Sequence, residues 1–283
     1  MDARIISTAL GPLECAVYGE GPAVLALHGA LGGYDQSFLL ARAACGALRA
    51  RYVCVSRPGY LGTPLGSFRS PARQADLCAA LLDALGLNGA AVLAISGGGP
   101  AALQFALRHP ARCRALALVS ACSAPLRTRL PLRFHLIRAV AHFPPLVQRM
   151  RRKALANLDG TIARSIPHPD VRAATLAHAE AGPLLVELQS SLFEHLRERM
   201  PGTLNDIAET RRSFDWPVES ITAPTLVIHG TDDPIVPFAQ ARALASRVPG
   251  AELLAIASGG HSSLFSHLEQ IRARVARVLE TRI

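Results

Sequence analysis

Short apolar runs of strand length recur along the chain with helix-length segments between them, and this alternation constrains the architecture more than any other feature. Leu13 to Tyr18, Val24 to Leu27, Tyr52 to Val55, Val92 to Ile95, Ala115 to Val119, Thr225 to His229 and Leu253 to Ile256 read as strands. Ser37 to Leu48, Pro71 to Leu85 and Ala101 to Arg108 read as helices, the last closed by His109-Pro110. Such alternation predicts an α/β fold: a mostly parallel central sheet with helices on both faces. From Val24 onward the strand runs are continuously apolar, as a sheet covered on both sides requires.

The alternation lapses once, from about Ser123 to Trp216, where the sequence reads as helices broken by Pro131, Pro144-Pro145, Pro167, Pro169, Pro183 and Pro201. Placed between two strands, an all-helical insertion lies over the carboxyl edge of the sheet, where open α/β folds bind ligands. The expected division is therefore core 1–122, helical cap or lid 123–216, and core 217–283. A length of 283 residues fits one compact unit with such an insertion.

Of the six cysteines none forms a C-x-x-C pair, and most fall in apolar strand-like or helix-like segments, so they read as reduced core residues. No His or Cys pair has zinc-ligand spacing, and no metal is expected. Met1 to Thr8 lack the features of a secretory signal, and no uncharged apolar run reaches the roughly 18 residues that span a bilayer. The expectation is a cytoplasmic protein.

The net charge of +9 is carried almost wholly by arginine. Between Asp83 and Asp159 no acidic residue occurs, while segment 127–153 carries Arg127, Arg129, Arg133, Arg138, Arg149, Arg151, Arg152 and Lys153 among apolar residues. A solvated helical face accounts for this pattern. Weak association with an anionic membrane is the alternative role for the same segment. No helix-turn-helix, zinc-finger or RNA-recognition signature accompanies the charge, so no nucleic-acid partner is expected.

The chemistry is expected at Ser96, where the run Ala91 to Ile95 stops in Ser96-Gly97-Gly98-Gly99-Pro100. A strand turning sharply into a helix at a serine strains the backbone there, and small neighbours such as Ala94 and Gly98 let the chain pass. A phosphate-cradling loop is excluded: no Lys-Ser or Lys-Thr follows the glycines, and no G-x-G-x-x-G opens the helix. A nucleophilic serine needs a base and a group that orients the base. The strand Thr225 to His229 runs into Gly230-Thr231-Asp232-Asp233, and the strand Leu253 to Ile256 runs into Ser258-Gly259-Gly260-His261. Only one of Asp232 and Asp233 can face the histidine, and the Gly-x-x-Asp turn favours Asp233. His109, His135, His142, His168, His178, His195 and His267 lie in helix-like or loop sequence without a motif, and His229, in a strand, reads as a packing residue. After Val24 to Leu27, His28-Gly29-Ala30-Leu31-Gly32-Gly33 forms a glycine-rich loop whose Ala30 N–H, with that of Gly97, is placed to stabilise an oxyanion.

These four motifs, in this order, resemble the α/β-hydrolase superfamily, specifically its capped, esterase- or lipase-like serine hydrolases, over nearly the whole chain outside the cap. Two positions depart from the family pattern. Ala94 stands where Gly is commoner, and Ser56-Arg57-Pro58-Gly59-Tyr60 lacks the usual preceding acid. A serine at the elbow argues against the haloalkane dehalogenase and epoxide hydrolase branches, which use aspartate. The resemblance implies a hydrolase acting without cofactor on a small-molecule ester or acyl substrate, with Ser96 as nucleophile, His261 as base and Asp233 as its orienting acid. Cleavage of a carbon–carbon bond, amide or lactone, acyl transfer, or a low-turnover ligand receptor are the alternative uses of the same fold. The apolar residues Leu132, Phe134, Phe143, Leu184, Leu188, Leu192 and Phe193 of the cap read first as helical core, with the lining of an acyl pocket as their alternative role.

Overall fold

The computed structural model describes residues 2–126 and 137–280. Eight strands form one sheet: β1 Arg4–Thr8, β2 Gly11–Tyr18, β3 Ala23–Leu27, β4 Arg51–Val55, β5 Ala90–Ile95, β6 Cys113–Val119, β7 Thr225–Gly230 and β8 Glu252–Ile256. Their spatial order is β1-β2-β4-β3-β5-β6-β7-β8. Only the β1–β2 and β2–β4 pairings are antiparallel. The six strands β3 to β8 run parallel.

Helices cover both faces, and the side chains of each inner strand alternate between two cores. Leu25, Leu27, Val92, Ala94, Leu116 and Leu118 pack toward α2 (Pro71–Ala84) and α3 (Gly99–Arg108). Val24, Ala26, Ala91, Leu93, Ala115 and Ala117 pack toward α1 (Tyr34–Cys45) and the C-terminal helix. Period-two alternation with both faces buried is the reason these strands read as unbroken apolar runs. All six cysteines are buried and free of disulfides. Burial pushes the thiols up, Cys45 to about 12 and Cys15 to about 11, which leaves them protonated packing groups.

Two expectations are corrected. The sheet has an eighth strand, β1, which an apolar-run criterion misses because it is an edge strand with Ile5 exposed. Pro201 does not break the insertion into separate helices, because it lies inside Leu196–Glu209. The helix accommodates it by giving up local bonds to a core loop: Gly202 N–H donates to Gly59 O at 2.7 Å, and Glu198 O accepts from Leu61 N–H at 3.1 Å. The opened turn beside the proline and the core loop thereby satisfy each other's backbone groups.

The described part of the insertion contains α4 Pro144–Ala156, α5 Leu158–Ile162, α6 Pro169–Ala177, α7 Ala181–Ser191 and α8 Leu196–Glu209. The remaining helices are α9 Phe238–Arg247, α10 Ser263–Ser266 and α11 Leu268–Glu280. Of the basic segment, Arg127, Arg129 and Arg133 lie outside the described residues, as do Leu132 and Phe134. On α4, Arg149, Arg152 and Lys153 are exposed, whereas Arg151 donates to Ser190 Oγ and Glu194. No helix among the described residues is long and apolar enough to cross a membrane.

Candidate active site

Strand order reverses around β3, which has β4 on one side and β5 on the other. The loops leaving β3 and β5 therefore meet at the carboxyl edge of the sheet, with Leu27 paired to Ala94 just before them. Ser96 sits at that edge with φ of 52°, a left-handed conformation that costs a non-glycine residue of order 1–3 kcal/mol. Two features hold it there: the turn Ser96–Gly98 that precedes α3, and the close passage of Gly98, where a Cβ would come within 2.6 Å of Leu27 O.

His261 Nε2 lies 3.1 Å from Ser96 Oγ, and its Nδ1 lies 2.8 Å from Asp233 Oδ2. The other carboxylate oxygen of Asp233 accepts the backbone N–H groups of Ile235 at 2.8 Å and Val236 at 3.0 Å. Burial raises the Asp233 carboxyl, but hydrogen bonds from His229 and His261 and from the Val236 backbone outweigh it and hold the group well below the usual carboxylate range. Asp232 faces away, half exposed, and pairs with His168 of the helical insertion at 2.5 Å. Ser96, His261 and Asp233 thus come together across β5, β8 and β7, while Asp232 stays outside.

Sequence reading places His229 in a strand as a packing residue. It is fully buried, donates from Nε2 to Val236 O at 2.9 Å, and comes within 3.3 Å of Asp233 Oδ2. Its place four residues before Asp233, at the foot of the same turn, is the one signal that could have marked it.

Gly29 and Ala30 pass directly over the serine, so that a Cβ on Gly29 would stand 3.1 Å from Ser96 Cβ. The N–H groups of Ala30 and Gly97 lie side by side, and neither donates to an acceptor among the described residues. Two free donors beside a serine can receive a negative oxygen. Beneath them His28 is fully buried. Its Nε2 accepts the Arg57 N–H at 2.9 Å and its Nδ1 donates to Gly29 O at 2.6 Å, so the ring is neutral with the proton on Nδ1. Burial, with the Arg57 charge, holds this imidazole well below its ordinary range.

A cavity of about 320 Å³ opens onto Ser96 and His261, walled by Leu39, Leu40, Ile95, Leu188, Leu192, Leu264 and Phe265. Of the apolar residues with an acyl pocket as their alternative role, Leu188 and Leu192 line it. Leu184 belongs to the core, Phe193 packs against Leu196 and Met200, and Phe143 is exposed. Gln36 and Gln189 also line it, and sequence reading gave neither. No cluster of His, Cys, Asp or Glu among the described residues is suited to hold a metal ion.

The histidine loop depends on close backbone packing. A Cβ on Gly230, the last residue of β7, would overlap the carbonyl groups of Gly259 and Gly260, which are backbone atoms and cannot rotate away. Gly230→Ala is expected to cost about 1–3 kcal/mol and to lower the thermal midpoint by several degrees. Calorimetry checks this, and an unchanged midpoint would mean that the loop yields freely.

Comparison with known proteins gives concordant matches. A family model described as alpha/beta hydrolase fold matches residues 22–268. The chain is similar to a solved alpha/beta hydrolase fold protein from Nakamurella multipartita, at 35% identity and a TM-score of 0.85 over 98% of this chain and 99% of that one. It is 29% identical to 2-hydroxymuconate semialdehyde hydrolase of Pseudomonas putida over 78% of this chain and 72% of the relative. It is likewise 29% identical to pimeloyl-[acyl-carrier protein] methyl ester esterase of Aromatoleum aromaticum, over 78% and 84% respectively.

Proposed function

For a chain that belongs to the alpha/beta hydrolase fold family, we propose a serine hydrolase that cleaves a small carboxylic ester through Ser96, His261 and Asp233. The observation that carries this reading is the continuous hydrogen-bonded relay from Ser96 Oγ through His261 to Asp233, beside two unpaired backbone N–H groups. Ser96 Oγ attacks the ester carbon while His261 Nε2 takes its proton, and the carbonyl electron pair moves to oxygen under the Ala30 and Gly97 N–H groups. His261 returns the proton to the departing alcohol. Water then attacks the acyl enzyme, again losing a proton to His261, and the acid leaves.

An ester with an apolar acyl group of modest size suits the cavity, whose volume is near the lower end for small-molecule sites. An esterase among the relatives supports the same substrate class. Treatment with a fluorophosphonate probe is expected to add one phosphonyl group at Ser96, located by peptide mass, and to abolish turnover of short p-nitrophenyl esters. Folded protein that fails to label would overturn the reading in favour of a ligand receptor. Labelling without turnover across esters graded by acyl length would instead shift the substrate to another acyl or carbon–carbon bond.

A further inference from the structure

Ala30 stands in a loop that a helix of the cap grips from both sides. On one side Thr203 Oγ1 of α8 accepts the N–H of Leu31 at 3.0 Å while its own proton goes to Arg199 O at 2.9 Å. On the other, Asp206 of the same helix takes both arms of the Arg57 guanidinium, Nη1 to Oδ1 at 3.0 Å and Nη2 to Oδ2 at 2.5 Å. The Tyr60 hydroxyl donates to Asp206 Oδ2 at 2.6 Å. Arg57 then reaches into the loop, donating from Nε to His28 O at 2.8 Å and from Nη2 to Gly29 O at 3.3 Å. Arg57, Asp206, Tyr60 and Thr203 are all more than nine-tenths buried.

We propose that Asp206 and Thr203 are positioning residues for the oxyanion site, acting through Arg57 and the Leu31 amide to fix the Gly29–Ala30 peptide. The peptide unit is planar and trans, so its carbonyl and N–H point in opposite directions. Whatever pins Gly29 O therefore aims Ala30 N–H. The pins are His28 Nδ1 and Arg57 Nη2, and Arg57 is itself oriented by the two-point contact with Asp206. On the far side Leu31 has φ of 59°, a strained conformation that relaxes unless held, and the bond to Thr203 holds it. Asp206 also lies beside the second donor, its Oδ2 being 3.1 Å from where a Cβ on Gly97 would stand. The guanidinium neutralises a carboxylate that would otherwise oppose a negative oxygen there. The cap thus completes the oxyanion site as well as covering it.

This inference rests on Ser96 being the nucleophile, and the test separates the two claims. An aliphatic trifluoromethyl ketone serves as probe: Ser96 Oγ bonds to its carbonyl carbon, the serine proton passes to His261, and the carbonyl pair moves to oxygen, giving a hemiketal anion in the oxyanion site. The corresponding trifluoromethyl alcohol fills the same cavity without that charge. In Asp206→Asn, kcat for a short ester is expected to fall about 100-fold, near the effect of losing one oxyanion donor, with KM within about threefold. Ketone inhibition should weaken in step while alcohol inhibition stays near that of the parent. Thr203→Val, nearly isosteric, should show the same split at about tenfold, and Thr203→Ser should recover the parent values. Folded variants that bind the ketone within about threefold of the parent would overturn the positioning role. Equal losses on ketone and alcohol would also overturn it, by showing a general structural effect. Should Asp206→Asn not fold, the two threonine variants decide. A parent protein that does not bind the ketone removes the nucleophile reading and this inference with it, an outcome visible before any variant is compared.

Discussion

Ser96→Ala is expected to lower kcat for a short ester by about 10⁵–10⁶, the scale seen when a serine nucleophile is removed from such a relay. Expression, folding and substrate affinity should be retained. The size follows from the geometry: without Oγ, His261 Nε2 has no nucleophile to deprotonate, and the contacts of Asp233 then orient a base with nothing to act on. The turnover left over, about 10³–10⁴ above that in water, comes from the Ala30 and Gly97 donors and from binding alone. Thermal stability should change little, since the variant loses one hydrogen bond to a half-buried imidazole, worth about 1 kcal/mol, and alanine inherits the φ of 52°. Ser96→Gly adds an internal check. It is equally inactive, but relieving the left-handed strain should leave it more stable than Ser96→Ala by about 1 kcal/mol. Activity in Ser96→Ala within a hundredfold of the parent would move the nucleophile elsewhere.

What sequence could and could not supply follows from the range of the interactions concerned. Strands β3 to β7 are legible because both faces of each are buried, which leaves the runs Val24 to Leu27, Tyr52 to Val55, Ala91 to Ile95, Ala115 to Val119 and Leu226 to Ile228 free of charged residues. β1 is not, because an edge strand is free to carry Arg4 and Ser7. Helix ends shift for local reasons: α1 begins at Tyr34 after the extended Gly33 and ends at Cys45, before Gly46 with φ of 55°, so each end lies three residues earlier than in the expected Ser37 to Leu48. In the site, Ser96, Asp233 and His261 are each fixed by a turn a few residues long, and turns leave a local signature. The Arg57–Asp206 pair joins residues 149 positions apart, and nothing near Asp206 in sequence distinguishes it from a solvated helical acid. The loop at Arg57 looked like a departure from the family pattern at Ser56. In the fold, Ser56 Oγ donates to Glu14 Oε2 at 2.6 Å, so an acid is present at that place, supplied by β2.

The second large effect is expected in Asp233→Asn, with kcat reduced by about 10⁴ and KM little changed. Its cause is the tautomer of His261. Asp233 Oδ2 accepts from Nδ1, which leaves Nε2 bare and able to take the Ser96 proton. Asparagine can keep its carbonyl oxygen on the Ile235 and Val236 N–H groups, as Asp233 Oδ1 does now. Its amide N–H₂ then faces the imidazole and favours a proton on Nε2, where the base must have none. The same carboxylate predicts how stability responds to acid. Hydrogen bonds from the two histidines and the Val236 backbone, against the opposing effect of burial, hold its folded pKa below the value of about 3.9 expected when unfolded. The contribution of the charged group to stability is therefore complete above that pH, and is lost progressively as pH falls below it toward the folded value. Parent and Asp233→Asn should differ most in thermal midpoint near neutrality and converge as the pH is lowered below about 4. Protonation of Asp233 should therefore not set the acid limb of the parent's activity profile. A midpoint difference that widened in acid would mean that the carboxylate is destabilised by its burial, and that its contacts with His261 and His229 do not outweigh the cost.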